Sequence, residues 1–179
     1  MTDDSLPTLQ PERFDLRVRG MEPLIAPQAF TFTHDQLLLF QREAENLRFL
    51  WTQPNEVIVR LLLPADVVAQ LERDAAARGV ELPQMFAIEP DGSPLQLAIE
   101  RRIAPLHSPL YDLVCVKWNY CEKRTYADWL FRLALLALAS LLTGGIITDV
   151  PMSPAIIAAI RWGYFDRLCE CGPSKAGDA

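Results

Sequence analysis

The sequence predicts an α+β fold in which a mixed, largely antiparallel sheet packs with amphipathic helices and one buried central helix. Half of the 179 residues are hydrophobic and 22% are charged, which is typical of globular proteins. Short apolar or alternating runs predict strands, and segments with helical periodicity lie between them. An Asp-Gly pair between two of these runs favours a hairpin, and therefore antiparallel pairing.

We expect one domain, because a chain of this length buries its apolar residues around a single core. Residues 1–12 contain proline and lack periodicity, and residues 172–179 are small and polar. The sequence therefore predicts disordered tails at 1–12 and 172–179 on either side of one α+β domain that spans residues 13–171.

The first predicted elements are a strand, a helix and a second strand. Apolar and polar residues alternate over residues 14–19, which predicts a short or edge strand. Thr33 and Gln36 form the T-x-x-Q pattern of a capping box ahead of apolar residues at helical spacing, so we predict a helix over 34–50. The β-branched, apolar run at 56–63 predicts a buried strand.

An amphipathic helix and a hairpin are predicted to follow. Residues 64–78 place apolar side chains on one face, and Gly79 is suited to a left-handed C-cap. The segments 84–89 and 95–100 flank a loop that contains the Asp-Gly pair, so we predict a β-hairpin there.

The last third of the chain is predicted to hold two strands and two helices. Alternation predicts a strand over 111–118. Residues 129–142 are apolar on nearly every side, which predicts the buried central helix, and the Gly pair after them predicts its end. We predict a short strand over 146–150 and a final helix that begins at Ser153.

The acidic charge is concentrated in the first half of the chain. Residues 1–100 hold 8 Lys/Arg and 16 Asp/Glu, whereas residues 101–179 hold 9 and 7. An acidic surface repels phosphate backbones, so nucleic acid is not an expected partner. The acids would steer a basic protein towards this surface, or they serve solvation alone.

The four cysteines are predicted to be reduced thiols. The first ten residues, MTDDSLPTLQ, lack the basic and apolar regions of an export signal, so we expect a cytoplasmic protein. Disulfides are rare in the cytoplasm, and this argues against a disulfide framework. The C-x-C spacing of Cys169 and Cys171 and the C-x5-C spacing of Cys115 and Cys121 fit a zinc knuckle poorly, so we predict no metal.

Residues 133–147 form an uncharged apolar run that must be weighed as a membrane segment. Its 15 residues fall short of the roughly 20 that a spanning helix needs, and Arg132 precedes it. We therefore predict a buried core helix, and contact of residues 129–147 with a membrane is the alternative.

No sequence motif identifies a catalytic residue or a cofactor site. Cys121 and His107 could be paired as nucleophile and base, but no local signature supports the pair. Glu89, Asp91 and Asp149 lie near predicted strand ends, where acid–base sites often occur. We predict no catalytic, cofactor-binding or metal-binding residue, and an enzyme whose site assembles only in the fold is the alternative.

Two surfaces are predicted to bind a protein partner. The first comprises acidic residues of the helices within 34–78: Asp35, Glu43, Glu45, Asp66, Glu72 and Asp74. The second combines aromatic and basic residues, a mixture common at interfaces: Trp118, Tyr120, Lys123 and Arg124. These features are also compatible with a homodimer.

The stretch from Tyr111 to Asp149 combines a predicted strand, Trp129 near an N-cap, an Ala/Leu-rich helix and the sequence TGGIITD. This succession resembles the C-terminal helix-then-strand unit of several uncharacterised bacterial α+β families, some of them encoded as immunity proteins beside polymorphic toxins. The resemblance implies a cytoplasmic, non-enzymatic protein that neutralises a toxin domain by occlusion. An acidic first half would suit a basic toxin such as a nuclease.

Overall fold

The computed structural model describes residues 12–16, 28–87, 92–124, 127–146 and 149–172, and this part of the chain is mostly helical. Its helices are α1 (His34–Trp51), α2 (Asn55–Leu62), α3 (Ala65–Ala77), α4 (Leu82–Met85), α5 (Pro94–Ile103), α6 (His107–Leu110), α7 (Tyr120–Lys123), α8 (Ala127–Thr143), α9 (Met152–Arg161) and α10 (Tyr164–Leu168). A 3₁₀ turn, Ala104–Leu106, precedes α6, and a π-helix, Tyr111–Lys117, follows it.

The predicted α+β fold with a largely antiparallel sheet is wrong. Strands β1 (Glu12–Leu16) and β2 (Gln28–Phe32) form one short antiparallel ladder in the described residues, with Phe14 opposite Phe30. β1 overlaps the strand predicted over 14–19, of which residues 17–19 lie outside the described ranges. The predicted tails also lie outside them, apart from Glu12 and Gly172.

Helix α1 confirms the capping box that the sequence predicts. The Thr33 hydroxyl accepts from the Gln36 N–H at 3.3 Å, and the Gln36 side chain accepts from the Thr33 N–H at 2.9 Å. These two bonds satisfy amide groups that the first turn of a helix leaves without an internal partner. The predicted helix over 34–50 is therefore confirmed.

The predicted strand over 56–63 is wrong, because these residues form α2. Ile58, Val59 and Leu62 are buried at helical spacing, and Arg60 lies 3.0 Å from Glu56 one turn earlier on the exposed side. The side-chain pattern thus suits a one-sided helix, and this outweighs the β-preference of the valines and isoleucine. The helix predicted over 64–78 is confirmed as α3, and Gly79 after it adopts φ +70°.

The predicted hairpin is also wrong, since its second run forms α5. Ser93 accepts from the Gln96 N–H at 3.1 Å, and Pro94 occupies the first turn, where its missing N–H costs nothing. Leu95, Ile99 and Ile103 then recur every four residues and are buried. Residues 88–91 lie outside the described ranges.

Residues 111–117, predicted to lie in a strand, form the π-helix instead. The Trp118 N–H donates to the carbonyl of Leu113, five residues back, at 3.1 Å. Leu110, Val114 and Trp118 are buried, so the inward positions recur every four residues. The apparent alternation over this segment therefore does not reflect two faces of a sheet.

The predicted buried helix is confirmed as α8, but a second helix is more completely enclosed. Residues 153–159 of α9 are all buried, and α9 packs against α1, α2, α5, α8 and α10. Gly144 and Gly145 follow α8 as predicted, and Gly145 adopts φ +67°. The strand predicted over 146–150 is absent at residues 146, 149 and 150, and residues 147–148 lie outside the described ranges.

Arg161, the last residue of α9, bonds to the end of α1 and to the first residue of α2. Its guanidinium donates to the Trp51 carbonyl at 2.6 Å, the Gln53 carbonyl at 2.8 Å and the Asn55 side-chain oxygen at 3.0 Å. Burial lowers the pKa of Arg161. These carbonyls lie at the end of α1, where the helix leaves them unpaired and the macrodipole favours a cation.

Three further helix ends are bonded by side chains from distant parts of the sequence. Gln36 donates to the Leu142 carbonyl at 2.9 Å, Arg102 to the Leu62 carbonyl at 3.2 Å, and Asn55 to the Phe86 carbonyl at 3.0 Å. The ends of α8, α2 and α4 are thus fixed by tertiary contacts, which set the directions of the loops that follow.

We expect Arg161→Met to lower the free energy of unfolding by about 2–4 kcal/mol, because it leaves carbonyl groups without their charged donor. Arg48→Met is the matched control, since Arg48 is an exposed arginine near the end of α1 and its loss should cost under about 0.5 kcal/mol. Urea unfolding followed by circular dichroism measures both. Equal losses in the two variants would contradict the role given to Arg161.

Candidate partner-binding groove

The six acidic residues predicted to bind a partner lie on two helices with different neighbours. α1 packs against α8 and α9, whereas α3 packs against α2, α4 and α5. The exposed members are Asp35, Glu45, Asp66 and Asp74. Glu72 pairs with Arg60 at 2.6 Å, and Glu43 is largely covered. The structure therefore separates these acids into an α1 group and an α3 group.

The predicted aromatic and basic surface is mostly enclosed. Trp118 and Tyr120 are only 2% and 3% exposed, so neither ring is available to a partner. Burial, and then the charge of Asp166, raise the pKa of Tyr120, whose hydroxyl donates to that carboxylate. Arg124 pairs with Asp166, and the side chain of Lys123 lies outside the described residues. The sequence pattern here reflects packing.

The prediction of four reduced thiols is wrong in this structure. Cys115 is bonded to Cys169 and Cys121 to Cys171, across sequence separations of 54 and 50 residues. The paired cysteines lie too far apart in the sequence for their proximity to be visible from it. Arg124 adds a hydrogen bond to the carbonyl of Gly172, so the turn after α10 is fixed at several points.

The candidate catalytic groups are not brought together. Cys121 is held in its disulfide, and His107 Nδ1 lies 3.2 Å from the hydroxyl of Tyr164. Asp149 pairs with Arg102 at 2.9 Å, which lowers the pKa of that carboxyl. Glu89 and Asp91 lie outside the described residues.

Neither a metal cluster nor a membrane span is found in the described part of the chain. With the cysteines paired, none of its His, Cys, Asp and Glu side chains form a group of three suited to a metal ion. Among the same residues, every helix is too short or too polar to cross a membrane.

A groove of about 500 Å³ opens between α1, the end of α2 and the start of α9. One wall is a face of α1 on which Leu39, Glu43, Asn46 and Leu50 recur at helical spacing. The opposite wall is formed by residues 150–154, and Leu61 closes one side. The lining is apolar except for a few polar groups, as is usual for sites that bind another molecule.

Two large apolar side chains stand at the rim of this groove. Phe49 is 64% exposed and Leu61 is 50% exposed, although both belong to amphipathic helices whose outer faces are otherwise polar. Leu38, one turn before Arg42 on α1, is 53% exposed as well. Their exposure is energetically unfavourable in water, and contact with a partner would remove it.

Glu43 supplies a fixed negative charge inside the groove. Ser153, buried in the first turn of α9, donates to the Glu43 carboxylate at 2.7 Å and lies 3.1 Å from the Glu43 carbonyl. The side chain of Glu43 is 18% exposed, and Arg42 Nε lies 3.8 Å from it. The positive end of the α9 dipole stabilises a carboxylate at this place. The groove therefore combines an apolar surface with one carboxylate, that of Glu43, which is fixed in position.

Two other cavities of the described residues are lined by charges of both signs. One lies between α3 and α5 beside Asp66, Arg73 and Arg101, and another beside Asp112 and Lys117 of the π-helix. Neither has large apolar side chains exposed at its rim to the extent of Phe49 and Leu61.

Glu43 is among the residues predicted from the sequence to bind a partner, but the rest of the groove is not. Phe49 carries a signal that could have been noticed, because it places a large aromatic ring on the face of α1 opposite Phe40 and Leu47. Leu61 carries none, because the run 56–63 is predicted as a buried strand.

Comparison of the chain with protein-family models, curated proteins and solved structures gave no match.

The two disulfides are expected to stabilise the fold in a strongly non-additive way. Replacing one pair with alanine should cost about 2 kcal/mol, because the remaining bridge still closes the long loop and the lost one closes a ring of only about eight residues. Replacing all four cysteines should cost about 6 kcal/mol, since the long loop is then also open.

Urea unfolding of the oxidised chain, with a chelator present, measures these losses. Two single-pair losses that sum to the loss of the four-cysteine variant would contradict the interpretation, because they would mean that each bridge constrains the unfolded chain independently.

Proposed function

We propose that this protein is a non-enzymatic protein-binding module that receives a basic amphipathic segment of a partner protein in the groove between α1, α2 and α9. The observation that carries the proposal is the pair of exposed apolar side chains, Phe49 and Leu61, beside the held carboxylate of Glu43. An exposed aromatic ring next to a pocket is the kind of residue that contributes most to protein–protein affinity.

Charge complementarity favours a basic segment as the occupant. Glu43 is the charged residue among those that line the groove, and the whole chain carries a net charge of -6. A lysine or arginine that reaches Glu43 would gain a charge-assisted bond in a partly covered site, where such bonds are stronger than at an open surface. Apolar residues one helical turn away would then meet Phe49 and Leu61.

The partner class that the sequence predicts agrees with this occupant. A basic toxin domain neutralised by occlusion would present cationic residues to an acidic protein, and the exposed acids Asp35 and Glu45 on α1 would steer its approach. An immunity function therefore remains our proposal for the biological role, and a homodimer is the outcome that the test below distinguishes from it.

We also propose a cytoplasmic location, which is the location expected from the sequence. The two disulfides are a property of the oxidised chain, and such bonds are rarely kept in the cytoplasm. The proposal therefore expects the cysteines to be reduced in the cell, with the groove unchanged because α1, α2 and α9 contain none of them.

Phe49→Asp should weaken partner binding at least about 30-fold, because it places a charge where an apolar contact is expected. The partner is first identified by affinity purification of the tagged chain from its native host, and its affinity for each purified variant is then measured by calorimetry. Val116→Asp is the matched control, since Val116 is 67% exposed on the π-helix and does not line the groove.

A single stoichiometric partner that loses binding to the Phe49 variant, keeps it to the Val116 variant and contacts the groove through a basic segment supports the proposal. Equal binding to both variants, or self-association as the only complex, would overturn it. Urea unfolding of both variants confirms that folding is intact, because each substituted side chain is mostly exposed.

Glu43→Gln should lower the affinity for the same partner about tenfold and reduce its dependence on salt, because the charge is lost while the amide oxygen still accepts from Ser153. Glu45→Gln is the matched control on the exposed side of the same helix. If the two substitutions have the same effect, the partner senses only the general acidity of α1, and the bond to Glu43 is refuted.

A further inference from the structure

The four cysteines of the chain meet at one place in the fold. Cys115 lies in the π-helix and Cys121 in α7, while Cys169 and Cys171 belong to the turn that follows α10. The Cα atoms are 5.1 Å apart in one pair and 5.3 Å apart in the other. Each disulfide joins a cysteine of residues 115–121 to a cysteine of the turn after α10, so the fold brings these two segments together.

The two pairs lie against each other. Cys121 Sγ lies 3.6 Å from the carbonyl oxygen of Cys169, which belongs to the other pair. Only Glu170 separates Cys169 from Cys171, and it adopts the left-handed conformation at φ 51°. The Cys171 N–H donates back to the Asp166 carbonyl at 2.9 Å, so this turn has a defined shape.

We propose that the reduced chain binds one Zn²⁺ ion through the thiolates of Cys115, Cys121, Cys169 and Cys171. A tetrahedral site of four thiolates with Zn–S bonds of about 2.3 Å places its sulfurs roughly 3.8 Å apart. The Cα separations within each pair allow the paired sulfurs to move apart to this distance by side-chain rotation, and the contact of Cys121 Sγ with the Cys169 carbonyl brings the second pair beside the first. The C-x-C and C-x5-C spacings argue less strongly against a zinc site once the fold is known, because the fold already brings the two segments into contact.

Charged side chains of both signs lie near the cysteines: Lys117 and Arg124 are cationic, and Glu122 and Glu170 are acidic. Four thiolates and one Zn²⁺ carry a net charge of −2, and Arg124 donates to Asp166 and to the carbonyl of Gly172, next to Cys171. Lys117 ends the π-helix two residues after Cys115. All four cysteines are half-buried, which shields the ligands from water and leaves the ion a way in.

Reduction of the two disulfides needs a reductant, and a dithiol can supply the electrons. A dithiol reduces each disulfide to two thiols and is itself oxidised to a disulfide, so two equivalents yield four thiols. Binding of Zn²⁺ then releases four protons to solvent. The zinc site would hold the turn after α10 in a reducing compartment, where the disulfides would not persist. This inference does not rest on the groove.

The test is titration of the phosphine-reduced full chain with Co²⁺ and then Zn²⁺ in the absence of oxygen. We expect one Co²⁺ per chain with the absorption of a tetrahedral thiolate complex, displacement of Co²⁺ by Zn²⁺, and a higher midpoint of thermal unfolding with Zn²⁺ than without it. The oxidised chain should bind no ion. A Cys115→Ser/Cys169→Ser variant should lose at least about 100-fold in affinity, and His107→Ala should lose none.

The proposal is overturned by the absence of stoichiometric binding, by binding that survives the loss of Cys115 and Cys169, or by equal binding when the reduced chain is unfolded in urea. If the reduced chain is unfolded without metal, circular dichroism replaces the thermal midpoint as the measure. Refolding on addition of one equivalent of Zn²⁺ supports the site, and a chain that stays unfolded refutes it.

Discussion

The burial of α9 on every side is the constraint on which the rest of the structure depends. Five helices pack around it, and a helix enclosed in this way must be apolar over its whole circumference. Alanines at positions 155, 158 and 159 keep it narrow enough for its neighbours to approach. The polar groups at its two ends each have a defined partner: Ser153 bonds to Glu43, and Arg161 bonds to the end of α1. The helix that organises the core therefore also positions one wall of the groove and the carboxylate within it.

Polar side chains in this fold act mainly at helix ends. Gln36, Asn55, Arg102 and Arg161 each bond to a backbone carbonyl near the last turn of another helix. A bundle of short helices has many such unpaired carbonyls, because each helix leaves four of them whatever its length. Bonding them through side chains from elsewhere in the chain fixes the relative positions of the helices, which apolar packing alone specifies less sharply.

The sequence predicts the elements that carry their own local signals. α1 has a capping box, α3 has an apolar face and a following glycine, and α8 is apolar throughout, so all three can be recognised. The segments 56–63, 95–100 and 111–118 are wrongly predicted as strands because short apolar runs have no decisive period, and their helical state depends on the neighbours against which they pack. The groove needs Phe49 and Leu61 from two different helices, and the cysteine pairs span about 50 residues, so both are products of the tertiary fold.

The π-helix makes the turn before Trp118 wider than an ordinary helical turn. A wide turn of this kind corresponds to one residue more than an α-helix of the same span would contain, so it can arise by a single-codon insertion. Removing that residue would restore the ordinary turn and leave the segments on either side facing as they do now, whereas a deletion from an ordinary α-helix rotates one side by about 100° relative to the other. Cys115 itself lies within this wide turn, so loss of that one residue would also remove the bond that attaches the C-terminal turn to this segment through Cys169. The shape of the wide turn and the attachment of the C-terminal turn therefore depend on the same seven residues.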